Sequence, residues 1–345
     1  MKQSNGFAQF LTAVLLVGML STPANGQGLS KVGTTAAKFL TIPVGPRATA
    51  LGGAFVAIAN DATAMYWNPS GLTRVNYLEF TASHSFWLAD IQYDYLGLVL
   101  PMGAAGTAGF SVTAMTMGQM DITTEEEPEG TGGTFSAGSF AIGVSYARDL
   151  TDFFSIGGSV KYINESIWNS SATGLAVDLG TLFQTPIRGV RFGASISNFG
   201  GKLQMSGPDL LVQKDIDEQK YGNNPAISAL LSTDQFDLPL ILRIGIAADI
   251  INTEGSQLTL AVDASHPNDN VQSVSLGGEF AFLERTLFLR GGLRNLGNPE
   301  SEERWVVGAG LEREVVSGLR LAFDYAYQSF GRLQSVHKLG VAIRI

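Results

Sequence analysis

From Asn76 to its last residue the chain repeats one unit: about ten residues alternating in polarity, then a turn, the pattern of a strand in a barrel wall. Leu240, Leu242, Ile244, Ile246 and Ala248 share one face of such a strand, and Arg243, Gly245, Ala247 and Asp249 share the other. Leu321, Phe323, Tyr325 and Tyr327 oppose Arg320, Ala322, Asp324 and Ala326, and Val190, Phe192, Ala194 and Ile196 oppose Arg191, Gly193 and Ser195. A soluble sandwich also alternates, so the period alone does not choose between it and a membrane barrel. The second face does. It mixes Gly, Ala and Ser with Lys161, Asp178, Asp249, Asp263, Arg320 and Asp324, which suits a lumen better than the surface of a soluble sheet.

The segments 76–86, 91–100, 107–115, 135–146, 154–164, 173–183, 190–198, 240–250, 257–265, 271–281, 286–294, 304–312, 319–327 and 338–345 give fourteen predicted strands, an even number as a single-chain bacterial barrel requires. The connections PMGAAG, RDLTD, QTPIRG, NTEGS, LER and REVVSG follow even-numbered strands and are brief, whereas the long connections 117–134 and 199–239 follow odd-numbered ones. Short turns on one side and long loops on the other are what such a barrel needs, and the parity places both chain ends in the periplasm. The final HKLGVAIRI alternates Leu339, Val341, Ile343 and Ile345 against Gly340, Ala342 and Arg344. It resembles the terminal signal read by the outer-membrane assembly machinery, with Ile345 where an aromatic is usual.

Residues 1–26 read as a secretory signal: Lys2 supplies the positive charge, an apolar run of about ten residues ends at Leu20, and Ala24 and Gly26 precede a cut ahead of Gln27. That run is too short to span a bilayer, which takes roughly 20 residues. Removing the segment changes 22 Lys+Arg against 31 Asp+Glu to 21 against 31, so no basic footprint for nucleic acid exists. The chain has no cysteine, hence no disulfide framework and no thiolate metal site. Its 41 glycines are spread through the apolar segments and no linker separates two halves, which favours one all-β unit.

Residues 33–74 are too apolar for a flexible tail and too long for a simple leader. RATALGGA (47–54) and NDATAMYWNPSGL (60–72) together resemble the N-terminal segment of the PorV/PorQ family, a branch of the FadL-like outer-membrane β-barrels of Gram-negative bacteria. The resemblance implies an all-β fold: a transmembrane antiparallel β-barrel of about fourteen strands with an N-terminal plug segment in the lumen. It divides the chain into a signal peptide (1–26), a periplasmic and plug segment (27–75) and an outer-membrane barrel (76–345). Its motif residues here are Arg47, Leu51, Gly52, Gly53, Asp61, Asn68, Pro69, Ser70, Gly71 and Leu72. Asp61 and Asn68 are the expected polar staples, and Pro69 with Gly71 the turn that feeds the first strand, although Asn-Pro-Ser-Gly is turn chemistry whatever the function.

By the same resemblance the protein is a component of the type IX secretion system, a docking module with no enzymatic activity and no cofactor. It would receive secreted substrates by their C-terminal β-domains and pass them to the surface attachment complex. The implied partners are translocon and attachment-complex proteins, substrate C-terminal domains, and outer-membrane lipid and lipopolysaccharide. The alternative is FadL-like transport of hydrophobic small molecules, entering by the external loops and leaving through a lateral opening between strands. That reading predicts an apolar channel.

The second long loop carries apolar residues where water would surround them: Leu210, Leu211, Val212, Tyr221, Ile227, Leu230, Leu231 and Phe236. Loops of this length are functional or disordered, and this composition argues against disorder. A protein-docking surface and a lid over the barrel mouth both account for it. In the first long loop Glu125, Glu126, Glu127 and Glu129 form a solvated acidic run or a weak divalent-cation contact to lipopolysaccharide. Catalysis has little support. The chain has no G-x-S-x-G, P-loop or H-E-x-x-H motif, and only the closure of the first strand on the last would bring His84 and His337 near Ser83 or Ser85, as in a lipase.

Overall fold

The alternation closes on itself. In the computed structural model, which describes residues 32–187, 189–215, 219, 226–298 and 301–345, fourteen strands form one closed antiparallel ring in chain order. They are β1 (Glu79–Phe86), β2 (Gln92–Pro101), β3 (Thr107–Thr116), β4 (Ala137–Thr151), β5 (Phe154–Ile167), β6 (Ser170–Gln184) and β7 (Arg191–Gly200), then β8 (Ile241–Asn252), β9 (Gln257–Pro267), β10 (Ser273–Phe282), β11 (Leu287–Leu296), β12 (Trp305–Val316), β13 (Leu319–Gln328) and β14 (Val336–Arg344). The signal-peptide reading of 1–26 and the residue Tyr221 lie outside the described residues.

Closure is made by β1 on β14, from Glu79 opposite Arg344 to Phe86 opposite His337. It removes the free edge, so every strand finds partners for its backbone groups on both sides, the condition for a sheet to sit in hydrocarbon. Among the described residues no helix is long and apolar enough to cross a membrane. The outward face of the strands carries large apolar side chains such as Leu98, Val144, Leu175, Ile244 and Phe323, all exposed, while the intervening Val99, Ser145, Ala176, Gly245 and Ala322 are buried or nearly so. This is the polarity expected of a lipid-facing wall around a filled interior.

Each predicted strand exists, with ends displaced by a few residues. The larger differences lie in the long loops, which are not irregular. Met120–Asp121 pairs with Thr134–Phe135, so Phe135 belongs to a ribbon beyond β4 and not to β4 itself. In the second loop Leu203–Gln204 pairs with Gln235–Phe236, and Leu211–Lys214 with Ile227–Leu230. These short antiparallel pairs satisfy the loop backbone locally.

Candidate functional site

Between Val32 and β1 the chain forms only single turns: a 3-10 turn (Lys38–Thr41), α1 (Pro46–Ala50), α2 (Ala64–Trp67) and a second 3-10 turn (Pro69–Arg74). Helices this short are unstable alone, and these are held by the barrel wall. The Ala62 N–H donates to Glu79 of β1 at 2.8 Å, and the Tyr95 hydroxyl of β2 donates to the Ala62 carbonyl at 2.8 Å. Met65 fills the space over Gly109 of β3, and the second 3-10 turn packs on β4 and β5. Asn68 donates to the Thr181 carbonyl of β6 at 3.0 Å, and Ser195 of β7 donates to the Trp67 carbonyl at 2.9 Å. The Arg243 guanidinium of β8 lies 5.3 Å from the Trp67 ring centroid. Asp263 of β9 accepts from the N–H groups of Phe55 and Val56 at 2.8 and 2.9 Å. Arg47 reaches Glu279 of β10, Gly52 abuts Gly292 of β11, Ala50 abuts Gly308 of β12, α1 packs on β13, and Lys338 of β14 donates to the Pro43 carbonyl. A stretch that touches all fourteen strands of a closed ring lies within it.

The motif residues sit along this path. Arg47 donates twice to Glu279, both at 2.9 Å, and also to Asn60 at 2.6 Å and Asp61 at 3.0 Å. Burial opposes its charge, but Glu279 and then Asp61 outweigh burial and hold its pKa above the ordinary arginine value. Asp61 also accepts from the Thr63 N–H at 2.9 Å. Asn68 is fully buried and uses both ends of its amide: Nδ2 donates to the Val56 and Thr181 carbonyls, and Oδ1 accepts from the N–H and hydroxyl of Ser70. Pro69 opens the following turn, and Leu72 is buried beside Gly109. Gly52 has φ +68°, and a Cβ there would lie 2.7 Å from the Leu293 carbonyl oxygen, so backbone angle and wall both require glycine. Gly53, Gly71 and Leu51 are buried with it.

The segment runs through the ring from one end to the other. Thr35 bridges to Asp237, the Ala37 N–H donates to Glu165 at 2.9 Å, and Lys38 donates to Asp269 at 2.6 Å, all at the long-loop end. Leu78 and Ile345 exchange backbone hydrogen bonds at the short-turn end. The described residues therefore enter at the long-loop end and leave at the short-turn end. Turn parity located the start of β1, and the N-terminal end itself lies outside the described residues.

Sequence reasoning missed the ion pairs that lock this segment to the wall. Glu279 accepts from Arg290 at 2.6 Å as well as from Arg47, and Arg290 also holds Asp324. Arg344 donates to Glu79 at 3.0 Å and pairs with Glu312. The available signal was phase: a charge in the inward register of a membrane strand needs a partner.

Three spaces surround the segment. A cavity of about 670 Å³ at the short-turn end is lined by charged groups, Arg47, Arg74, Arg191, Arg290, Glu312 and Arg344 among them. A space of about 240 Å³ at the long-loop end lies by Lys38, Trp67 and Asp269. Between them a crevice of about 20 Å³ is lined by Leu40, Met65, Tyr66, Tyr93 and Tyr95, room for about one water molecule. The predicted apolar channel is not open: the segment fills the ring, and charge dominates its short-turn end.

The loop residues separate. Leu211, Ile227, Leu230, Leu231 and Phe236 are exposed and Leu210 and Val212 half-buried, while Leu203 and Leu238 are buried with Phe39 and Leu40. Glu125, Glu126, Glu127 and Glu129 are all exposed, and no group of three carboxylate or histidine side chains placed to hold a metal occurs among the described residues. The lipase constellation fails on alternation. Ser83 and Ser85 are buried on the inward face of β1, whereas His84 points the other way and meets Asp94 at 2.7 Å, and His337 meets the Tyr325 hydroxyl at 2.8 Å.

Residues 16–202 match the uncharacterised protein family UPF0164. No curated protein matches the chain. Among solved structures, the Pseudomonas putida toluene transporter TodX is similar at a TM-score of 0.54 and 13% identity, covering 86% of this chain and 96% of that one. The CymD monoaromatic hydrocarbon channel is similar at a TM-score of 0.50 and 14% identity, covering 88% and 97%. A Pseudomonas aeruginosa FadL homologue matches at 0.46 and 11% identity, covering 85% and 94%. What the chain shares with TodX and CymD is the β-barrel fold.

Proposed function

The chain belongs to the uncharacterised protein family UPF0164, and we propose that its barrel is a FadL-like outer-membrane passage for small hydrophobic molecules, plugged by residues 32–78. The observation that carries this reading is a segment in contact with all fourteen strands, within a barrel similar to hydrocarbon channels. The Tyr66, Tyr93, Tyr95 and Met65 crevice offers the aromatic lining an apolar ring would contact, but at about 20 Å³ it is shut. No lateral exit stands open either, since β3 pairs along ten residues with both β2 and β4. Passage therefore requires the segment to move.

The absence of cysteine makes that testable. A Cβ on Gly97 would lie 3.0 Å from the Ala62 Cβ, a small adjustment from the 3.5–4.5 Å typical of disulfides. The pair Ala62→Cys with Gly97→Cys, oxidised, pins the segment to β2. Cells carrying the reduced pair take up labelled toluene faster than cells without the barrel, and oxidation removes the difference. Equal uptake with and without the barrel overturns the passage; uptake indifferent to oxidation overturns the moving plug.

A second reading, docking of secreted proteins in the manner of PorV or PorQ in type IX secretion, is favoured by the exposed Leu211, Leu230, Leu231 and Phe236. Deleting 202–237 abolishes secretion of substrates with C-terminal β-domains if these ribbons dock them. Unchanged secretion removes this reading and leaves the passage intact.

A further inference from the structure

The cavity of about 670 Å³ at the short-turn end is built unlike the rest of the interior. Eight of the chain's fourteen arginines line it and no lysine does. Guanidinium forks, in contrast to ammonium groups, match carboxylate and phosphate oxygens two at a time. The volume is that of a small-molecule site.

Net charge does not decide the matter. Five carboxylates also line the cavity, and Asp61, Glu79 and Asp249 stand behind the lining, so arginines and carboxylates balance. What is unbalanced is hydrogen bonding. Arg47 and Arg290 share Glu279, Arg290 holds Asp324, Arg344 is clasped by Glu79 and Glu312, and Arg320 lies 3.9 Å from Glu314. On the enclosed segment itself Arg74 has no carboxylate within 4 Å among the described residues, and its Nε and Nη2 are buried without an acceptor. Arg191 spends both terminal nitrogens on Asp249, leaving its Nε likewise buried and unpaired. Burial first, and then the positive charge of Arg191, lower the Arg74 pKa to about 10.

Three buried guanidinium nitrogens, on two arginines that line this cavity, lack an acceptor, a costly arrangement that native interiors avoid. We propose that this cavity is a binding site for a small soluble oxyanion bearing phosphate or carboxylate groups, with Arg74 and Arg191 as its anchor. The cavity lies inside the ring and the wall is hydrogen-bonded throughout, so a lipid headgroup in the surrounding bilayer has no route to it. The ligand comes from the solvent at the short-turn end. The site stands whether or not anything crosses the barrel.

The test is calorimetric titration of the full chain in lipid nanodiscs with inorganic pyrophosphate at fixed ionic strength. One equivalent binds, and Arg74→Gln weakens binding roughly tenfold, the size of one charged hydrogen-bond pair. Arg148→Gln, which alters an exposed arginine outside the cavity, leaves affinity unchanged. Retained heat-modifiable gel mobility shows that each variant is a folded barrel. Should Arg74→Gln fail to fold, Arg313→Gln at the cavity rim carries the test and weakens binding several-fold. Absence of pyrophosphate binding to the unaltered chain overturns the site, as does equal weakening by Arg148→Gln, which would mean attraction to surface charge only.

Discussion

Residues 33–75 and residues 201–240 begin from similar material. Both lie outside the barrel strands, both are rich in apolar side chains, and neither has a long helix. One is enclosed almost completely, while the other keeps Leu211, Leu230, Leu231 and Phe236 in solvent. Hydropathy does not explain the split. The first stretch is built of Ala, Gly and short polar residues, so its backbone comes close to the wall and exchanges hydrogen bonds with the side chains of Ser195, Asp263 and Glu79. The second is built of larger residues whose described backbone pairs mostly within ribbons, with one bridge from Ser206 to Ser171 of β6. Where the backbone groups find their partners decides which stretch is buried.

The sharpest way to break the comparison is to cut the bond between segment and wall at its most charged point. Glu279→Ala leaves Arg47 on the segment and Arg290 on β11 without their shared carboxylate. Removing one partner from a buried pair costs about 3–5 kcal/mol, and Asp61 and Asp324, which stay beside Arg47 and Arg290, place this loss at the lower end. Urea unfolding of the refolded barrel in detergent should show that loss, and a loss under about 1 kcal/mol would mean that the pair is solvated and the segment only loosely attached. A smaller effect belongs to Asn68→Ala. It strands the Val56 and Thr181 carbonyls and the Ser70 donors, at about 1–3 kcal/mol by the usual cost of unsatisfied buried groups. The same unfolding assay reads it, and an unchanged midpoint would show that water replaces the amide.

The barrel was legible because lipid outside and a filled interior impose one period on every strand, and because closure makes loop parity a second, independent constraint. Even the charged inward positions Lys161, Asp178, Asp249 and Asp324 fall on the face that alternation assigns. The motif Asn68-Pro69-Ser70-Gly71 was legible as a turn, and its amide proves to tie two distant carbonyls as well. What alternation does not carry is partner choice. Arg47 and Glu279 are 232 positions apart, and nothing local to either residue names the other. Nor does the pattern tell which way a segment without strands runs through the ring. The loop ribbons were missed for a different reason: runs of two to four paired residues are shorter than the period needs to show itself.

The smallest expected effect is the most exacting check on the contrast. Leu211 and Leu230 face each other across the ribbon and are 58% and 61% exposed. Replacing both by serine removes one cross-strand apolar pair, worth roughly 0.2–1 kcal/mol within the ribbon, and touches no barrel strand. Because both side chains are exposed, barrel stability in the urea assay should stay within about 0.5 kcal/mol of the parent, the range of ordinary surface changes. A loss like that of Asn68→Ala would mean that the ribbon is packed against the barrel mouth in the membrane, as a lid, and that its exposed leucines are covered there. An unchanged midpoint leaves those leucines free for a partner, so stability separates lid from docking surface before any partner is sought.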